Sequence, residues 1–165
     1  MKNKRGDVGM KLNNRGFTLI EVLAVIVILS ILMAIMVPNV GKILEKNKKD
    51  NYADLEKSII SAAKIYVSDN RYEIQVDLDS CTTSSQFVNV TSIGGNLLDG
   101  SKLFIDTLVD AGNLKTNSSG EVVNPMNKNQ KLQLGKSYVV VKYLCDKKDY
   151  SYSLKENGVS TLSWS

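Results

Sequence analysis

One acidic side chain, Glu21, sits inside the apolar run 17–37, where 18 of 21 residues are apolar. An ionisable group in a hydrocarbon-length segment costs on the order of 3 kcal/mol on insertion scales, so its presence points to function. Snorkelling toward the nearby water interface is the plainer alternative. Immediately ahead the chain reads Arg15-Gly16-Phe17-Thr18-Leu19-Ile20-Glu21. Gly16 carries no side chain to obstruct a protease approaching the backbone at a membrane face, and Phe17 opens the apolar segment. A linker glycine is the other reading. The chemistry offered by this spacing is done to the chain rather than by it.

Elsewhere the residue inventory excludes more than it offers. The chain has no histidine and only two cysteines, Cys81 and Cys145. Ser–His–Asp and Cys–His nucleophilic sites, His-ligated metals and an intrachain four-cysteine zinc site are therefore excluded. Asp77 and Asp79 make a short acidic run, but two carboxylates without a fuller ligand pattern read as a solvated turn. No metal or cofactor is expected. Asn89-Val90-Thr91 and Asn117-Ser118-Ser119 match glycosylation sequons that are common by chance. Tyr138, Tyr143, Tyr150 and Tyr152 read as sheet packing rather than a ligand-stacking platform.

Charge is segregated along the 165 residues. Residues 1–16 carry five basic side chains against one acidic, whereas the remainder is balanced at sixteen of each. The formal +4 thus belongs to the leader, and direct nucleic-acid binding by the rest of the chain is not expected.

These residues need elements to position them. As a helix, 17–37 extends about 32 Å, enough to cross a ~30 Å hydrocarbon core, and its apolar residues go all the way round. It exceeds a usual signal-peptide core, and no small-x-small cleavage site follows it. The basic residues 1–16 favour a cytoplasmic N-terminus. Pro38 removes one backbone donor, so a kink or local break is expected there. Helical periodicity resumes through Val40, Ile43, Leu44, Tyr52, Leu55, Ile59, Ala62, Ala63, Tyr66 and Val67. Residues 45–51 contain no apolar side chain, so the helix should dock on a body only from Tyr52 and end near Asp69-Asn70. Beyond it, a short strand is expected at 86–90 and a short helix at 102–110, with Ser101 as N-cap and Gly112 as stop. Strands at 137–144, 150–154 and 159–164 should form an antiparallel meander, with Asn157-Gly158 as a tight hairpin turn. The expected fold is α+β, a long helix whose second half covers a small antiparallel sheet.

The stretch from Arg15 to Leu23 resembles the class III signal of type IV pilins and pseudopilins, and the resemblance extends over residues 11–41, including Pro38. It implies a cytoplasmic leader at 1–16, cleaved by a prepilin peptidase between Gly16 and Phe17, with N-methylation of Phe17. It further implies that Glu21 pairs with the terminal amine of a neighbouring subunit. In that layout 17–37 is the transmembrane and assembly helix, 38–70 its amphipathic continuation, and 71–165 a globular region with a variable loop. The implied partners are other pilins or pseudopilins in a homo- or hetero-polymer, the prepilin peptidase, an inner-membrane assembly platform, and membrane lipid before assembly. The implied location is the cytoplasmic membrane, then a surface pilus or pseudopilus. Many pilins carry a glycine before the proline, where this chain has Ser30; Gly41 lies just beyond.

Family members often staple the variable region with a disulfide, usually with the second cysteine nearer the C-terminus. Pairing Cys81 with Cys145 would close a loop of about 64 residues, whereas a reducing habitat would leave both as thiols. The rival reading is a membrane-anchored extracytoplasmic binding module that is neither processed nor polymerised.

Overall fold

The computed structural model describes residues 17–83 and 86–165. Gly16 and the leader lie outside the described residues, as do the side chains of 37–39. Two compact units emerge, divided between Leu44 and Glu45. Helix α1, Leu19–Asp69, supplies the described helical part of the first and enters the second.

In the first unit Phe17, Leu19 and Ile20 are exposed, like every described side chain after them to Met36. It is the one described helix long and apolar enough to cross a membrane. The helical assignment continues through Pro38. Ser30 Oγ donates to the Ile26 carbonyl at 2.7 Å, which satisfies its hydroxyl within the apolar run.

The second unit begins with an exposed helical stretch in which Lys49 Nζ lies 2.8 Å from Glu45. From Tyr52 onward, α1 turns one face to a hydrophobic core. Ile59, Ala62, Ala63, Tyr66 and Val67 are buried there, with Tyr52, Leu55 and Ile60 packed at its margin. The helix ends at Asp69, and Asn70 Nδ2 donates back to the Tyr66 carbonyl.

After a 3₁₀ turn at Arg71–Glu73 come β1 (Ile74–Val76), β2 (Phe87–Ile93) and β3 (Asn96–Leu97). Gly94 and Gly95 make the two-residue turn between β2 and β3, both at positive φ. A Cβ on Gly94 would lie 2.5 Å from Asn70 Oδ1, so only glycine fits against the helix terminus. Strand β2 therefore runs beyond the anticipated 86–90.

Residues 102–110 are divided between β4 (Lys102–Phe104) and α2 (Ile105–Asp110) rather than forming one helix. Ser101 does not cap it. At φ +69 and fully buried, Ser101 accepts a hydrogen bond from Val90 N and donates to Asn89 Oδ1, tying β2 to the segment before β4. Gly112, at positive φ, follows α2 as its stop.

The sheet is centred on β5 (Tyr138–Leu144). Along one edge, β2 pairs with its last three residues and β4 with its first three; along the other runs β6 (Asp149–Ser153). The pairs are antiparallel. The expected three-strand meander is therefore corrected, because of its three strands only the first two, β5 and β6, pair with each other. The last strand leaves the sheet: β7 (Lys155–Glu156) and β8 (Val159–Ser160) form a separate hairpin across Asn157-Gly158. Hydroxyls explain the departure. Thr161 Oγ1 donates to the Tyr138 carbonyl, and Ser163 N donates to Ser137 Oγ, so 161–163 is held from strand starts rather than by a ladder. Alternate β5 residues Val139 and Val141 face the core shared with α1.

Candidate functional site

The start of α1 is built from its own four residues. Thr18 precedes the first helical residue, and Thr18 N and Oγ1 both donate to Glu21 Oε2, at 2.8 and 2.9 Å. In return Glu21 N reaches Thr18 Oγ1 at 3.3 Å. This reciprocal pattern is a capping box, in which N-cap and N3 side chains satisfy backbone donors that a helix start leaves open. Phe17 and Val22 line one shallow apolar groove, the placement of a hydrophobic staple across the cap. The sequence Thr-x-x-Glu before an apolar run carried this signal, yet the reading of Glu21 as a lone intramembrane charge overlooked Thr18. Glu21 is thus held by its own chain through these hydrogen bonds.

Cys81 and Cys145 are joined by a disulfide, 64 residues apart in sequence. Cys145 N donates to the Gln86 carbonyl, fixing the two ends of the bridged region to each other. The Gln86 side-chain oxygen accepts from the backbone and hydroxyl groups of Thr82 and Thr83, at 3.1–3.2 Å.

The remaining candidates have local partners. Asp77 accepts a 2.6 Å hydrogen bond from Ser80 Oγ, and among the described residues no three His, Cys, Asp or Glu side chains gather in a metal-binding group. Asn89 binds Ser101, while Asn117 Oδ1 accepts from Ser119 N and Glu121 N and so closes its own turn. Tyr143 and Tyr150 meet edge to face at 5.4 Å, and Phe104 meets Tyr138 at 5.8 Å. Tyr138 donates to Glu156 at 2.6 Å, which raises its pKa. Burial pushes Tyr152 up to about 12. The ammonium of Lys131 hydrogen-bonds Glu121 and holds that carboxyl below its usual range, as Lys49 does for Glu45.

These features define a chain with a membrane-length apolar helix, capped at its start, followed by a disulfide-stapled α+β body. Over residues 11–37 it matches the prokaryotic N-terminal methylation motif, the signal of type IV pilins and pseudopilins. Among curated proteins and solved structures, neither comparison returns a match.

Proposed function

We propose that this chain is a structural prepilin subunit that a prepilin peptidase cleaves between Gly16 and Phe17 and methylates at Phe17. The mature chain polymerises through its N-terminal helix into a type IV pilus or pseudopilus. Supporting this reading is the methylation motif at 11–37, opening a helix whose apolar side chains from Leu19 to Met36 are exposed among the described residues. Such a surface needs lipid first and other helices after assembly.

The division of labour follows. Residues 1–16 are the cytoplasmic leader, 17–37 the membrane and assembly helix, 38–70 its amphipathic continuation, and 71–165 the outward body. The subunit performs no chemistry of its own. Glu21 pairs with a processed terminal ammonium of a neighbouring subunit, and an unpaired buried charge disfavours any other stagger. Pro38 and Gly41 supply local give in the helix. Other pilins or pseudopilins, the peptidase and an inner-membrane platform are its partners.

Intact-mass measurement of native protein tests the reading. Loss of residues 1–16 with one added methyl group is expected. A native chain with its leader attached and no polymer would instead identify a permanently anchored binding module. Glu21→Ala should leave processing intact and reduce sheared-filament yield at least tenfold; wild-type yield would remove the pairing role.

A further inference from the structure

Between the end of α1 and the β5–β6 turn lies an open groove of about 260 Å³, lined by Lys64, Arg71, Lys148, Tyr150 and Tyr152, with Asp149 as its one acid. Three cations against one carboxylate make it locally basic in a body whose charges balance overall. Among the described residues none of the three cations forms an ion pair, and Asp149 Oδ1 is occupied by Tyr150 N at 2.7 Å. Two of the cations are held by aromatic faces. Lys64 Nζ stands 5.8 Å from the Tyr152 ring centre, and the Arg71 guanidinium 5.6 Å from that of Tyr72.

Lys148 reaches the groove from the β5–β6 turn. It is one of three described non-glycine residues at positive φ, at +52°. Each of the three has a structural reason. Ser101 is buried in a hydroxyl network, and Asn157 occupies a tight hairpin turn that favours asparagine. Lys148 ends an exposed four-residue turn, where glycine would be free of strain. Its side chain has no bonding partner among the described residues and lines the groove. Its backbone N–H donates to the Leu144 carbonyl at 2.9 Å, closing the β5–β6 turn and holding the cation at the groove edge.

We propose that this groove binds a phosphoryl group, with Lys64, Arg71 and Lys148 supplying the charge and the two phenols supplying donors. Neither the Tyr150 nor the Tyr152 hydroxyl has a hydrogen-bond partner among the described residues, in contrast to Tyr66 and Tyr138. Both phenols are pushed toward the protonated, donating form, Tyr152 to about 12. A tetrahedral dianion matches three cations lining one groove better than a monocarboxylate does. This site is independent of leader processing and polymerisation.

The test is thermal denaturation of the full-length chain in non-ionic detergent, with tripolyphosphate, orthophosphate or acetate at matched ionic strength. Saturable stabilisation is expected in the order tripolyphosphate, orthophosphate, then acetate with none. Lys148→Gly should raise the basal Tm yet weaken tripolyphosphate binding at least tenfold, and Arg71→Gln should weaken it similarly. Lys142→Gln, on the opposite sheet face, should bind as wild type. Phosphatidylglycerol in the micelle reproducing the shift would identify a lipid headgroup as the phosphate source; its failure to do so beside a tripolyphosphate response would identify a soluble one. Equal shifts from all three anions, or unchanged binding by Lys148→Gly and Arg71→Gln, would overturn the proposal.

Discussion

At the residue scale, Thr18 and Glu21 give the apolar helix a defined beginning. A bare helix start in lipid would leave backbone donors without water, and the reciprocal box satisfies two of them. Glu21 therefore has a duty inside its own chain besides any between chains. Thr18→Val keeps the volume and removes the hydroxyl, so the first turn should lose about 1 kcal/mol of capping. Amides 20–22 should then exchange with solvent roughly fivefold faster in micelles, a ratio that the same energy implies. Unchanged exchange would show that the backbone contact alone holds the cap. The box was readable from Thr-x-x-Glu spacing, but the charge-in-lipid argument drew attention to one of its two members. The groove cations were not readable at all, because Lys64, Arg71 and Lys148 share no motif and meet only when α1 lies beside the β5–β6 turn.

At the element scale, the second half of α1 is the part whose packing sequence periodicity specified best. Ile59 is fully buried at the centre of the helix–sheet core, so Ile59→Ala should cost about 2–5 kcal/mol with little change in the denaturant slope. Chemical denaturation followed by circular dichroism measures it. The sheet was less readable. Short connections suggested a meander, yet β5 gathers β2 and β4 along one edge from distant parts of the chain, and long-range pairing leaves no local signature. Gly94-Gly95 and Asn157-Gly158 both make two-residue turns, and only the second was used as a signal. Polar residues set the remaining exceptions: Ser101, Ser137 and Thr161 are buried, and their hydroxyls redirect the segments that propensity assigned to a helix and a third strand.

Strand β6 also carries a pH response. Tyr152 has its pKa raised to about 12 by burial, above the ordinary value of 10. The folded state thus binds the phenolic proton more tightly than the unfolded chain. The contribution is complete below pH 10 and is lost as pH rises from 10 toward 12. Stability should fall across that window, and Tyr152→Phe should flatten the fall. Phenolate absorbance at pH 11 should show at least one tyrosine still protonated until the protein is denatured.

At the scale of the whole molecule, the two units obey different rules. One is an apolar helix with its polar groups satisfied internally, suited to lipid or to a bundle of its own kind. The other is an ordinary water-facing body with a buried core and one covalent staple. Closing a loop of 64 residues is worth roughly 4 kcal/mol in the chain-entropy model. Denaturation with and without reductant should differ by about that amount, and a Cys81→Ser, Cys145→Ser double variant should match the reduced protein.

The same staple decides how the body behaves under tension. A pull transmitted through α1 and the C-terminus can draw out the residues before Cys81 and after Cys145, but the bridge passes the force across and shields everything between. Single-molecule stretching in an oxidising buffer should therefore stop short, and adding reductant should release roughly 220 Å of further contour length. A single covalent link thereby places more than a third of the chain off the path of any load.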